Sequence, residues 1–282
     1  MFCDYHVHSE FSDDSFYPME EVVQDAIKMG MEEICFTDHV DYGVKKDWDD
    51  PEGIEYRGGT GESKAMPLAN VNYPKYFEKL QTLQQKYPQI TIRKGMEFGM
   101  QTHTVSQFQK LFDSYPFDFI ILSCHQVEDN EFWTGDFQRN RTQLEYNLRY
   151  YQEILDVIRE YKDYSVLGHL DLIIRYDEKG ALPFEKTKDI VTKILKTVIR
   201  DGKGIEVNTS SHRYGLEDLE PSRAILSLYK ELGGTIITIG SDSHKKEHLG
   251  AYIEQTKAEL KELGFTRFAT YEKMKPVFHS LV

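Results

Sequence analysis

Histidines and carboxylates recur in small groups along this 282-residue chain. His6-Val7-His8 comes first, with Asp14 soon after. Thr37-Asp38-His39, Gly95-Met96-Glu97, Ser123-Cys124-His125, Gly168-His169-Leu170-Asp171, Glu206 with Asn208, and Gly240-Ser241-Asp242-Ser243-His244 follow. Mixed imidazole and carboxylate donors suit Zn²⁺, Mn²⁺ or Fe²⁺ better than Ca²⁺, which takes oxygen ligands. A tetrahedral zinc ion needs only four ligands. His6, His8, His39, His125, His169 and His244, with Asp14, Glu97 and Asp242, are too many for one ion, so two or three divalent ions are expected. Closely spaced ions suit phosphoryl transfer to water, because they acidify a water and clamp the phosphate oxygens. One His-x-His pair carries little weight; the recurrence carries the argument.

These groups need elements that bring them together. Seven β-rich runs precede them: Met1–Tyr5, Glu33–Thr37, Ile90–Glu97, Phe117–Ser123, Ser165–Gly168, Gly204–Asn208 and Thr235–Gly240. Segments of helical period alternate with them: Met19–Met29, Tyr73–Tyr87, Val105–Ser114, Leu144–Tyr161, Phe184–Arg200, Ser222–Leu232 and His248–Leu263. Regular β–α alternation points to an α/β protein with a parallel sheet. Seven units suggest a TIM-like barrel over residues 1–282 as one domain, an open doubly wound sheet being the alternative. Barrel enzymes build their sites at the C-terminal ends of the strands, where every donor group here falls. Residues i and i+2 of a strand share a face, so His6 and His8 can approach one ion together, as can Asp242 and His244 if the chain stays extended there.

The other four histidines, His103, His212, His248 and His279, fall in helical or loop segments and read as surface or capping residues, with His212 worth watching because it lies just past the sixth strand. Two long connections, 41–72 and 126–141, read as loops over one mouth of the barrel; the first is acidic and carries Trp48, the second Trp133.

Lys plus Arg is 34 and Asp plus Glu is 47, a net charge of −13 that argues against a nucleic-acid or membrane-surface partner. An anionic substrate then needs a local positive centre, which bound metal ions supply. Cys3, Cys35 and Cys124 form no CxxC pair and read as buried filler in a reducing compartment. There is no signal-peptide pattern and no membrane-spanning apolar run, so a cytoplasmic location is expected. No G-x-S-x-G elbow and no G-x-x-x-x-G-K-[ST] loop occurs, against an acyl-enzyme or an NTPase.

The ordered motifs His6-x-His8, Ser12-x-Asp14, Thr37-Asp38-His39, Gly95-Met96-Glu97, His125, Gly168-His169-Leu170-Asp171, Glu206-Val207-Asn208-Thr209 and Gly240-Ser241-Asp242-Ser243-His244 resemble the PHP (polymerase and histidinol phosphatase) superfamily, and within it the monofunctional histidinol-phosphatase branch. The resemblance spans nearly the whole chain. It implies a distorted (β/α)7 barrel with a trinuclear metal site, hydrolysing L-histidinol phosphate in histidine biosynthesis. By motif, His6, His8, Glu97 and Asp242 would surround one ion. Glu97 would bridge to a second, shared with His125 and His169. Asp14, in preference to Asp13, would hold a third with His39 and His244. Arg175 and Arg213 resemble basic family positions and would meet the phosphate. Glu206 and Asn208 read as residues that orient the metal ligands. Other small phosphate monoesters, such as a nucleotide or sugar phosphate, are the alternative substrates; a nucleic-acid-processing or metal-binding accessory module fits the charge poorly. The acidic loop, with Asp47, Trp48, Asp49 and Asp50, is expected to close over the cationic end of histidinol phosphate.

Overall fold

The runs Phe119–Ser123 and Gly204–Asn208 are buried along their whole length, the pattern of strands covered on both faces of a parallel sheet. The structure, a computed structural model, describes residues 1–50, 52, 54, 56–57 and 66–281. Seven strands lie side by side in chain order: β1 (Cys3–Val7), β2 (Glu33–Phe36), β3 (Thr91–Gly99), β4 (Phe119–Ser123), β5 (Val166–Leu167), β6 (Gly204–Asn208) and β7 (Ile237–Gly240), and every neighbouring pair is parallel. A two-residue strand, His39–Val40, adds to β3 and sets His39 opposite Glu97. The ring closes just beyond β7. His8 N donates to Ser243 O at 2.8 Å and Ser243 N to His6 O at 3.2 Å, making a parallel bridge between Val7 and Ser243. Gly240 permits this closure, since a Cβ there would run into His6, including its backbone nitrogen at 2.9 Å.

Among the described residues seven helices separate and follow the strands: α1 (Met19–Lys28), α2 (Tyr73–Lys86), α3 (Val105–Ser114), α4 (Gln143–Glu160), α5 (Lys188–Arg200), α6 (Arg223–Glu231) and α7 (Ile253–Glu262). Each buries one apolar stripe; α6 buries Ile225, Leu226 and Tyr229. Thr142 and Glu145 close a capping box at the start of α4, satisfying two otherwise orphaned N–H groups. This is the seven-unit distorted barrel expected, and the open doubly wound alternative falls with the closure of β7 on β1. Among the described residues no helix is long and apolar enough to cross a membrane. All three cysteines are buried and unpaired.

Most boundaries move by one or two residues, β3 running on past Glu97 to Gly99, and three of the differences bear on the reading. β1 runs Cys3–Val7 rather than Met1–Tyr5, so His6 lies within the strand and His8 one residue past it. The segment Phe184–Arg200 divides into a short 3₁₀ turn and α5. α7 starts at Ile253 rather than near His248, because Gly250 (φ +66°) and Tyr252 (φ 60°) are left-handed and cannot continue a helix.

A terminal hairpin, β8 (Arg267–Glu272) and β9 (Lys275–Ser280), was not expected from the sequence. Both residues of its turn, Lys273 (φ 49°) and Met274 (φ 63°), have positive φ, a geometry normally announced by Asn-Gly or Asp-Gly. The hairpin covers the N-terminal mouth of the barrel. Tyr271 N donates to the Tyr5 hydroxyl at 2.8 Å, the Tyr271 hydroxyl to Ser165 O at 3.2 Å, and Met274 N to Asp118 O at 2.9 Å. The opposite, C-terminal mouth stays open to hold the donor groups.

Candidate metal centre

β3 is the longest barrel strand, at nine residues, and it carries Glu97 into the middle of the C-terminal mouth. Glu97 is fully buried. Its two oxygens face different sides. Oε1 lies 2.8 Å from His169 Nε2 and 3.1 Å from His125 Nε2. Oε2 lies 3.1 Å from His6 Nε2, 3.1 Å from His39 Nδ1 and 3.5 Å from His8 Nε2. The carboxylate is therefore placed between two sets of imidazoles, and Ser123 Oγ donates to Oε1 at 2.7 Å to fix its plane.

Asp242 approaches from β7. Its Oδ1 lies 3.5 Å from His8 Nε2 and 3.7 Å from His6 Nε2. Asp242 is left-handed (φ 55°), so the chain is not extended between it and His244. The two still meet, at 3.5 Å between Oδ1 and His244 Nδ1, because the turn folds His244 back toward Asp242. On the outer side Asp14 Oδ2 lies 3.0 Å from His244 Nε2 and 3.5 Å from His39 Nε2. Asp13 instead faces Lys45 at 2.6 Å. All nine expected donors thus converge on one mouth. Among the described residues, donor atoms within 4.8 Å of one another form three groups: His8, Asp14, His39 and His244; His6, His8 and Glu97; and His39, Glu97 and His125. His169 joins through Glu97.

This set fits divalent cations on two grounds. The buried His8 Nε2, His39 Nδ1 and His244 Nε2 have no hydrogen-bond partner, although each faces a carboxylate. The electrostatics also call for positive charge. Burial opposes ionisation of Glu97, yet His6, His125 and His39 hold its carboxyl well below the usual range. Burial is likewise overcome at Asp242 by His6, His8 and Arg175. Glu97 and Asp41 push His125 up to about 10, against the opposing effect of burial. His8 moves the other way, lowered by burial and by His244 and His39, which leaves a neutral imidazole suited to ligation.

The orienting residues are only partly those anticipated. Glu206 Oε1 pairs with His6 Nδ1 at 2.6 Å, and its Oε2 accepts from His169 N at 3.0 Å. Asn208 reaches Asp242 Oδ2 at 3.4 Å. Three further partners were missed. Ser12 Oγ pairs with His8 Nδ1 at 3.0 Å and donates to Asp38 at 2.8 Å, while Asp41 Oδ1 holds His125 Nδ1 at 2.8 Å. Holding one imidazole nitrogen fixes the tautomer and aims the other at the ion. Asp38 and Asp41 flank His39 in sequence, and that proximity was the available signal.

Arg175 lines the cavity with its guanidinium almost fully buried. It is paired to Glu220 and donates to Asp242 Oδ2 at 3.3 Å, with the Tyr214 ring 4.6 Å away. Arg213 stands behind the strand end and donates to the Ser241 and Asp242 carbonyls. Trp133, Leu172, Tyr176 and Tyr214 form the apolar part of the wall. The acidic loop departs from expectation. Asp47 accepts from the Tyr73 hydroxyl at 2.9 Å and from Asn70 at 3.1 Å, and Trp48 packs against the core. With Asp49 they line a separate surface hollow beside Tyr115, not the metal mouth. The tryptophan at the mouth is Trp133. Of the loop, Asp41 and Lys45 reach the cavity, while residues 51, 53, 55 and 58–65 lie outside the described residues. His103 pairs with Asp129, His212 stacks on Tyr252 and His279 bonds Thr270, and none of these nor His248 lines the mouth.

The PHP domain family matches residues 4–210. The histidinol-phosphatase of Lactococcus lactis subsp. lactis (strain IL1403) is 31% identical over 276 residues, covering 96% of this chain and 95% of that protein. A crystal structure of histidinol phosphate phosphatase from the same organism, complexed with zinc, L-histidinol and phosphate, superposes with a TM-score of 0.79 at 31% identity over 98% of both chains. A protein from Listeria monocytogenes, 20% identical with a TM-score of 0.69 over 89% of this chain and 98% of its own, shares the fold. By the domain match, the relatives and the barrel they share, this chain belongs to the PHP domain family.

Proposed function

We propose that this protein hydrolyses L-histidinol phosphate to L-histidinol and phosphate, as a step of histidine biosynthesis. The observation that carries the reading is the convergence of nine histidine and carboxylate donors, split by the two oxygens of Glu97, on a cavity that also presents Arg175. The Lactococcus lactis enzyme, matched over nearly its whole length, carries zinc, L-histidinol and phosphate in its structure.

His6, His8, Glu97 and Asp242 would hold one ion, Glu97 with His125 and His169 a second, and Asp14 with His39 and His244 a third. When bound, divalent ions supply Lewis acidity, lowering the pKa of water and offsetting the charge of the phosphate dianion. The chain's own residues do the rest. Arg175, held by Glu220, contributes a fixed cation at the wall, and Arg213 adds its charge from behind Asp242. Glu206, Asp41 and Ser12 keep three imidazoles aimed, so little reorganisation accompanies the reaction. The serines beside the donors are committed to carboxylates, Ser123 to Glu97 and Ser12 and Ser9 to Asp38, and water is the nucleophile in this reading. Trp133, Tyr176 and Tyr214 offer flat surfaces to the imidazole end of the substrate.

The test is phosphate release from a panel of monoesters, including histidinol phosphate, nucleotide and sugar phosphates and p-nitrophenyl phosphate, with Zn²⁺, Mn²⁺ or Fe²⁺ supplied. Histidinol phosphate should give the highest kcat/KM by at least about tenfold, a difference of about 1.4 kcal/mol in transition-state binding. A nucleotide or sugar phosphate ranking first would move the assignment to that substrate.

A further inference from the structure

Lys45 is the only lysine lining the metal mouth among the described residues. Its side chain is 8% exposed, and its ammonium lies 2.6 Å from Asp13 Oδ1 and 2.7 Å from Asp41 Oδ2. An ammonium is strongly hydrated and seldom buried without a specific partner. Here its two partners lead to two different parts of the donor cluster. Asp41 leads to His125, whose Nδ1 it holds at 2.8 Å and whose Nε2 faces Glu97 at 3.1 Å. Asp13 is joined in sequence to Asp14, which faces His244 and His39. Lys45 thereby links the loop after β1 to the loop after β2.

The link has little slack. Lys45 N donates to Asp41 O at 2.9 Å, closing a tight turn, and Asp41 N donates to Asn70 Oδ1 at 2.8 Å. Asp41 is pressed on β3 at Gly99, where a Cβ would strike the Asp41 carboxylate and come within 2.7 Å of His125 Nδ1. Asp41 thus has no route away from His125 along the strand, and Lys45 holds it from the remaining side.

We propose that Lys45 is a positioning residue that fixes the His125 part and the Asp14 part of the cluster against each other, and so sets the retention of the ions held there. This rests on the reading of the cluster as a metal centre, not on the identity of the substrate. Charge alone makes the opposite prediction. Removing a cation beside the cluster should tighten the binding of other cations, whereas loosening two aimed ligands should weaken it, by about 10–100-fold for the loss of an orienting partner.

The experiment compares wild type, Lys45→Met and Lys45→Arg. Bound zinc and manganese are counted by elemental analysis after stepwise exposure to a chelator, and ellipticity is recorded on the same samples. Lys45→Met should release ions at about 10–100-fold lower chelator concentration than wild type while keeping its far-UV spectrum, and Lys45→Arg should recover part of the difference. Wild-type retention, or tighter retention, in Lys45→Met overturns the proposal. Should Lys45→Met fail to fold, Lys45→Gln decides, since it also removes the charge but keeps a polar end toward the two carboxylates. Easier release from Lys45→Gln supports the link, and unchanged or tighter release overturns it. A protein that carries ions but prefers another monoester would refute the substrate assignment alone; wild type that binds no ions would refute the metal centre itself.

Discussion

Glu97 shows how much one buried side chain can organise. Each oxygen serves a different set of imidazoles, and Ser123 holds the carboxylate plane. Glu97→Gln keeps the volume but replaces an anionic oxygen with an amide that donates toward ligands already needing acceptors. The variant should lose bound metal and at least about 10²-fold in kcat, the scale seen on losing one charge-stabilising group. His279, on β9 at the far end of the barrel, bonds Thr270 at 2.8 Å and touches no donor. His279→Ala should change neither metal content nor turnover. Elemental analysis and kcat for both variants make the comparison, and an equal loss in the two would sink the assignment of Glu97.

At the scale of elements, the seam between β7 and β1 is reinforced from outside by α1. Asp25, near the end of that helix, meets Lys28 at 2.8 Å, the Tyr17 hydroxyl at 2.8 Å, and Lys246, from the loop after β7, at 3.2 Å. Lys28 chiefly, then Tyr17 and Lys246, bring its carboxyl down to about 2 against the opposing effect of burial. An unfolded aspartate titrates near about 3.9. The folded form is thus the stronger acid, so its contribution is complete above about pH 4 and disappears as pH falls toward about 2. Both lysines are largely exposed, which keeps the contribution at about 1 kcal/mol or less. Asp25→Asn should therefore unfold at lower urea than wild type at pH 6, and the gap should shrink by pH 3. A gap that is constant with pH would mean the carboxylate charge contributes nothing.

Across the whole molecule, the candidate metal centre predicts a coupling between ion binding and stability. The C-terminal mouth gathers donors from segments remote in the chain, so the arrangement that could hold divalent ions exists only in the folded state. An ion that binds the folded state alone stabilises it by RT ln(1 + [L]/Kd), about 2.7 kcal/mol at a hundredfold excess over Kd. Chelation should lower Tm reversibly, with recovery on adding Mn²⁺ or Zn²⁺. A Tm unmoved by complete removal of the ions would show that the cluster does not bind them in preference to the unfolded chain.

Much of this arrangement was legible in one dimension. Apolar runs and helical stripes mark seven β–α units because burial on both faces of a parallel strand favours apolar residues there. The nine donors stand out because each follows such a run, and a parallel barrel carries all such ends to one mouth. The terminal hairpin was not legible, since Lys273 and Met274 adopt positive φ without the residues that usually announce it. The role of the acidic loop could not be read either, because the loop's composition is the same whether Asp47 meets a substrate or, as here, Tyr73 and Asn70. Nor could the partners of the ligands be read: Glu206 lies 200 residues from His6 and Asp41 lies 84 from His125. Residue type and period are local properties, and they determined the fold class and which candidate donors converge. Which carboxylate holds which imidazole, and that Lys45 spans two of the loops, depends on distances between segments remote in the chain, and only the closure of the barrel decides those.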